Sequence, residues 1–220
     1  MRKLIVSAFV SLDGVMQAPG GPEEDPGGGF EFGGWAFPYW DGAIEEPLGA
    51  IFARPYDLLL GRKTYDIFAA YWPFQKDSAI GDQFNAVTKY VATSRADPLT
   101  WASSVKLDGD VLEAVARLKQ SDGPDLLTQG SAMLVRALLA RGLVDELNLF
   151  VFPLLLGKGK SWIDQSAEAG EFALVSSVTS TTGVIVSRYR PAGPVRTGSF
   201  AQDEPSEAEL ARREKIKAEG

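Results

Sequence analysis

Leu60-Gly61-Arg62-Lys63-Thr64-Tyr65 joins a short apolar run, Asp57 to Leu60, to a stretch of helical character, Thr64 to Ala70. A strand that stops at a glycine and turns straight into a helix gathers free N–H groups and the positive end of the helix dipole in one place, and that attracts phosphate. Gly61 lets a backbone come close, and Arg62 and Thr64 add donors. The same six residues also suit a tight turn with a solvated basic pair and a capping threonine. Their meaning depends on what the neighbouring strand ends carry.

Two further strand ends carry residues of the same kind. Lys89 to Thr93 reads as a buried strand and runs into Thr93-Ser94-Arg95. In an open parallel sheet, ligands sit at the carboxyl ends of the strands. A hydroxyl and a guanidinium there suit the 2′-phosphate that separates NADP from NAD, although an ordinary polar loop has the same composition. Leu126 to Thr128 reads as another strand, continuing through Gln129-Gly130-Ser131 into a helix from Ala132 to Ala140. That turn lacks the partner glycines of the dinucleotide fingerprint, and alone it is a helix start with Ser131 as cap. One polyanionic ligand lying along the sheet edge accounts for all three ends together.

The rest of the chain alternates strand and helix. Leu4 to Val10 is β-branched and aromatic, closing at the turn pair Asp13-Gly14. Gly14 to Gly34 is rich in Gly and Pro without periodicity, which marks a functional loop, and it leads into the aromatics Trp35, Phe37, Tyr39 and Trp40. Asp41 to Arg54 has helical spacing despite Pro47. Trp101 to Leu107 suits a short strand near an edge, and Val111 to Leu118 a helix. Gly142 suits the left-handed residue after the Ala132 helix. Leu147 to Leu156 reads as a long strand with Pro153 inside it; Ala173 to Thr182 and Val184 to Tyr189 read as an antiparallel hairpin. The order predicts an α/β domain over residues 1–190, with a mostly parallel sheet flanked by helices and a C-terminal antiparallel hairpin. Residues 191–220 change to a charged tail, helical or disordered, with Ser206 and Glu209 fitting a capping box.

Composition narrows the chemistry. The 220 residues include no cysteine and no histidine, which removes disulfides, thiolate metal sites, imidazole bases and the serine triad; no metal site is expected. The formal net charge of -7 argues against nucleic acid as a partner. The longest apolar run, Phe150 to Leu156, is too short to span a bilayer, and Met1 to Val6 reads as a first strand rather than a signal peptide. A reducing cytoplasm fits the lack of cysteine.

Taken together, Ser11-Leu12-Asp13-Gly14, Leu60 to Tyr65, Gly130-Ser131, Gly142 to Leu147 and Pro153 to Lys160 make the sequence resemble the dihydrofolate reductase superfamily. Within it, the resemblance is to stand-alone proteins like the reductase domain of the bifunctional riboflavin-biosynthesis deaminase/reductase. It covers roughly residues 1 to 190. It implies a dihydrofolate-reductase-like fold, NADPH as cofactor and a homodimer. By position, Gly61, Arg62 and Thr64 should meet the pyrophosphate with Gly130 and Ser131, and Ser94 and Arg95 the 2′-phosphate. Gly157 to Lys160 should form a turn near a dimer interface or the site rim. Asp145 and Glu146 are expected to cap and salt-bridge rather than catalyse.

On the substrate side, the resemblance makes Asp41 and Asp13 the candidate catalytic carboxylates, with Trp35 and Tyr39 walling the pocket. Desolvation there would raise the pKa of Asp41 into a proton-donating range, while a plain helix N-cap is its alternative. The expected reaction is NADPH-dependent reduction of a small molecule, pterin-like or a ribityl or carbonyl precursor. Two other readings remain open: a dinucleotide-binding protein without turnover, and an aromatic loop that serves as a protein-binding surface.

Overall fold

A computed structural model describes residues 1–163, 167–200 and 203–219. Eight strands form one sheet: β1 (Leu4–Ser11), β2 (Tyr56–Gly61), β3 (Lys89–Ala92), β4 (Ser104–Lys106), β5 (Asp125–Gln129), β6 (Glu146–Phe152), β7 (Glu171–Thr179) and β8 (Ile185–Gly193). Their spatial order is β4-β3-β2-β5-β1-β6-β8-β7. The first six pair in parallel, and β8 runs antiparallel between β6 and β7.

The helices are α1 (Gly42–Phe52), α2 (Arg62–Tyr71), α3 (Ala79–Ala86), α4 (Val111–Gln120), α5 (Ala132–Ala140) and α6 (Glu207–Glu219). Right-handed crossovers decide which face each one covers. From β1 the chain steps outward through β2 to β3, and α1, α2 and α3 pack on one face through Ile44, Leu48, Tyr65 and Phe84. It then returns to β5 and steps on to β6, so α4 and α5 lie on the opposite face through Val115, Leu134 and Leu138. The direction reverses between β5 and β1. Their ladder ends at Ser7 and Gln129, where β5 turns into α5 while β1 continues along β6. A crevice therefore opens at the carboxyl ends of these strands.

The opposite edge of the sheet is closed by ion pairs. Buried Arg2 holds Asp57, Arg54 bridges Asp125 and Glu146, and Lys119 meets Asp145, whose carboxylate also accepts the Leu4 N–H at 2.7 Å. Asp145 and Glu146 thus stitch strand starts together, as expected.

Three features differ from the sequence reading. β6 stops at Phe152, because Pro153 cannot donate to a ladder and the chain leaves the sheet there. Helix α3, unpredicted, is short and contains Gly81 and Asn85; its Ser78 caps it and its Phe84 is fully buried among Phe52, Phe68 and Trp72. The hairpin runs on to Gly193, past the expected boundary at 190. Gly142 behaves as anticipated, at φ +65 just beyond α5. In the tail, α6 buries no residue. Among the described residues, no helix is long and apolar enough to cross a membrane.

Candidate functional site

The crevice is built from three strand ends and one loop. At its centre, the helix starts after β2 and β5 are tied to each other. The Ser131 hydroxyl accepts the Gly61 N–H at 2.9 Å, and the Ser131 N–H donates to the Thr64 hydroxyl at 3.0 Å. Gly130 and Ser131 are both left-handed, at φ +66 and +60. Such a conformation costs a serine about 1 kcal/mol or more, so it persists where surrounding structure enforces it. Ser131 occupies the N-cap position of α5, but its hydroxyl reaches across to Gly61 instead of capping its own helix. Gly61, Thr64, Gly130 and Ser131 thus form one cradle.

Arg62 leaves that cradle. Its Nε donates to Asp66 at 2.8 Å and its Nη1 to the Asp97 carbonyl at 3.1 Å. Arg95, beyond β3, donates to the other oxygen of Asp66 at 3.4 Å. Two guanidiniums therefore share one carboxylate beside exposed Ser94. Sequence reasoning put Arg62 with Thr64, but its side chain turns toward Arg95.

The expected carboxylates have other partners. Asp41 caps α1, accepting from Ala43 and Ile44 N–H groups at 3.0 and 3.2 Å. Its second oxygen accepts the Thr181 hydroxyl at 2.7 Å and the Thr181 N–H at 3.0 Å, tying α1 to the β7–β8 turn. The Thr181 hydroxyl, together with these N–H groups, holds Asp41 below the usual aspartate range. This corrects the expectation of a desolvated proton donor. Trp35 and Tyr39 do not enclose it; both pack edge-on against Phe152, and the Trp35 indole donates to Gln17 O at 2.7 Å. Asp13 accepts the Ser11 hydroxyl at 2.5 Å, the Gly157 N–H at 2.7 Å and the Leu156 N–H. Burial pushes its carboxyl up, but those hydrogen bonds bring it below the usual range.

Sequence reasoning missed the polar groups at the crevice floor. Buried Ser7 on β1 faces Gln129 on β5, whose amide donates to its hydroxyl at 3.3 Å. The available signal was a polar residue interrupting each apolar strand just where the ladder ends. Also missed was Asp25, which binds Lys63 at 3.3 Å and Lys160 in a close ion pair. The segment from Gly157 to Lys160 lies against the loop after β1, with Met16 N–H donating to Lys160 O at 2.9 Å. Among the described residues, no cluster of three or more acidic side chains could hold a metal ion.

An open, mostly parallel sheet with helix starts cradled along its carboxyl edge and an antiparallel hairpin closing the far side defines a dihydrofolate-reductase-like α/β protein. Residues 2–186 match the RibD C-terminal domain, and the chain belongs to that family. It is 25% identical to the uncharacterized protein YyaP of Bacillus subtilis (strain 168) over 188 residues, covering 84% of this chain and 92% of that one. Among solved structures, it resembles a putative riboflavin biosynthesis protein from Shewanella sp. PV-4, with a TM-score of 0.61 at 18% identity, over 86% of this chain and 99% of that one. It also resembles dihydrofolate reductase from Enterococcus faecalis complexed with NADP(H), with a TM-score of 0.53 at 15% identity, over 86% and 96% of the two chains. The fold is thus of the reductase type.

Proposed function

We propose that the chain is an NADPH-dependent reductase of a small molecule, of the pterin-like or ribityl or carbonyl precursor kind. The observation that carries this reading is the row of anion-suited groups along one sheet edge. The cradle of Gly61, Thr64, Gly130 and Ser131 suits a diphosphate, since it combines two helix starts with hydroxyls that are already fixed. Arg62 and Arg95, which share Asp66, suit the 2′-phosphate, with Ser94 beside them. When bound, the nicotinamide would supply the hydride.

The chain's own part in the reaction is positioning. Ser7 and Gln129 offer a hydroxyl and a carboxamide at the crevice floor, able to orient a polar substrate atom. Asp41 and Asp13 are held ionised by hydrogen bonds, so neither is suited to donate a proton at neutral pH. Solvent is then the proton source this reading requires. Kinship supports the further expectation of a cytoplasmic homodimer, which size measurement in solution would check.

Titration with NADPH and NADH, followed by tryptophan emission, tests the reading; Trp35 reports on the loop that rims the crevice. Selective NADPH binding is expected. If neither nucleotide binds, the reductase reading falls. The low-lying Asp41 and Asp13 favour one alternative, nucleotide binding without turnover. NADPH oxidation that depends on an added carbonyl or pterin substrate separates the two.

A further inference from the structure

The loop after β1 reaches back over the crevice at one residue. Asp25 binds Lys63, in the first turn of α2, through one oxygen and Lys160 through the other. Lys63 stands next to Thr64 of the cradle, while the backbone of Lys160 is bonded to Met16, just past β1. The bridge Lys63–Asp25–Lys160 therefore crosses the mouth of the crevice between the ends of β2 and β1, with β5 between them in the sheet. We propose that Lys63 and Lys160 form a binding site for a phosphate-class dianion at the mouth of the crevice, and that the Asp25 carboxylate is an internal stand-in for that anion.

Charge balance is the first argument. The two ammonium groups share one carboxylate, Asp25, each on its own oxygen. Two like charges so close repel, and a single carboxylate leaves one positive charge over. A dianion would neutralise both lysines.

Access is the second argument. A Cβ at Gly27 would stand 3.4 Å from both ammonium nitrogens and 2.9 Å from the Asp25 carboxylate, so glycine keeps this side of the pair bare. Gly28 and Gly29 follow, both left-handed with open space around them. A cleft of about 270 Å³ opens beside them, lined by Gln17, Phe30, Lys158 and Lys160. Gln17 anchors the loop backbone here, its amide donating to Asp25 O and Gly27 O, both at 2.8 Å, while its carbonyl accepts the Lys160 N–H at 3.0 Å. With its backbone held, Asp25 need only turn its side chain away from the lysines, giving up the Gly27 N–H at 3.1 Å, to admit another anion.

The site rests on reading the crevice as the ligand site, and its test separates the two. The probes are inorganic phosphate and pyrophosphate, titrated calorimetrically into the full chain with and without saturating NADPH. Asp25→Asn is expected to tighten binding of the probes about tenfold, because the competing charge is gone. Adding Lys160→Met should abolish that gain; Lys63→Met serves if that variant does not fold. Glu31→Gln, which removes the carboxylate partner of Lys158, should give no comparable gain. If NADPH blocks the probe, the anion is the cofactor's diphosphate; if it does not, the anion belongs to the substrate. Both outcomes support the site. An affinity indifferent to Asp25→Asn, or an equal gain from Glu31→Gln, overturns it while leaving the reductase reading intact. Failure of NADPH to bind overturns the reductase reading, and the phosphate titration still decides the lysine site.

Discussion

At the scale of single residues, partners determine what each ionisable group can do. The resemblance offered Asp41 and Asp13 as candidate catalytic acids, yet each accepts several hydrogen bonds that stabilise its charged form. The exposed Arg95 guanidinium makes a long contact to Asp66 at 3.4 Å, so it is available to an incoming phosphate. Arg95→Ala is expected to weaken NADPH about tenfold and to change NADH by less than about twofold, by equilibrium titration. Arg62→Ala should follow the same pattern, since its guanidinium shares Asp66; equal loss for both nucleotides would refute the phosphate assignment. Lys89 is fully buried, donating to Asn85 O at 2.8 Å and Ala102 O at 3.0 Å, with its ammonium 4.4 Å from the centre of the Trp101 ring. Burial pushes it down to about 8 from the 10.5 of a free lysine. Between these values the unfolded chain keeps a proton that the folded chain has lost, so this group's contribution to stability rises with pH across that window. Denaturant titrations at about pH 7 and pH 10 should show wild type gaining on Lys89→Met. A constant gap between the two proteins would contradict the depressed pKa.

At the scale of elements, the loop after β1 illustrates order without regular structure. Gly34 N–H donates to Ala18 O at 2.8 Å, Phe30 and Trp35 are buried, and the segment from Gly157 to Lys160 packs against it. That packing depends on Gly159, at φ +130, where a Cβ would fall 2.5 Å from Val15 and 3.0 Å from Phe30. Gly159→Ala should therefore destabilise the protein by about 1–3 kcal/mol in a thermal or urea melt. An unchanged melt would mean that the two segments are not tightly packed. Phe32, Phe37 and Trp40 remain exposed, so the loop's aromatics divide between core and surface.

At the scale of the whole molecule, the sheet is the framework and the tail is an appendage. Helix α6 buries nothing and carries its own ion pairs, Glu209 with Arg212 and Arg213. A chain ending at Gly198 keeps the ion pair between Arg196 and Glu171 and should melt within about 2 °C of the full chain. A drop of more than about 5 °C would show that the tail packs on the domain. The arrangement of strands and helices was readable because periodicity and strand-end turns are local: the β1 run, the Gly142 helix end and the hairpin at Gly183 each follow from a few adjacent residues. Helix α3 was not readable, being short and weakly patterned, and the strand through Pro153 was read too long. By itself the sequence determined the fold class, the row of anion-suited strand ends and the exclusion of imidazole and thiolate chemistry. Only the tertiary structure decided that Ser131 serves Gly61, that Asp41 is spent on Thr181 and that Asp25 meets Lys63 and Lys160. Those partners lie far apart along the chain, and no local pattern records which distant charges the closing of the sheet will bring together.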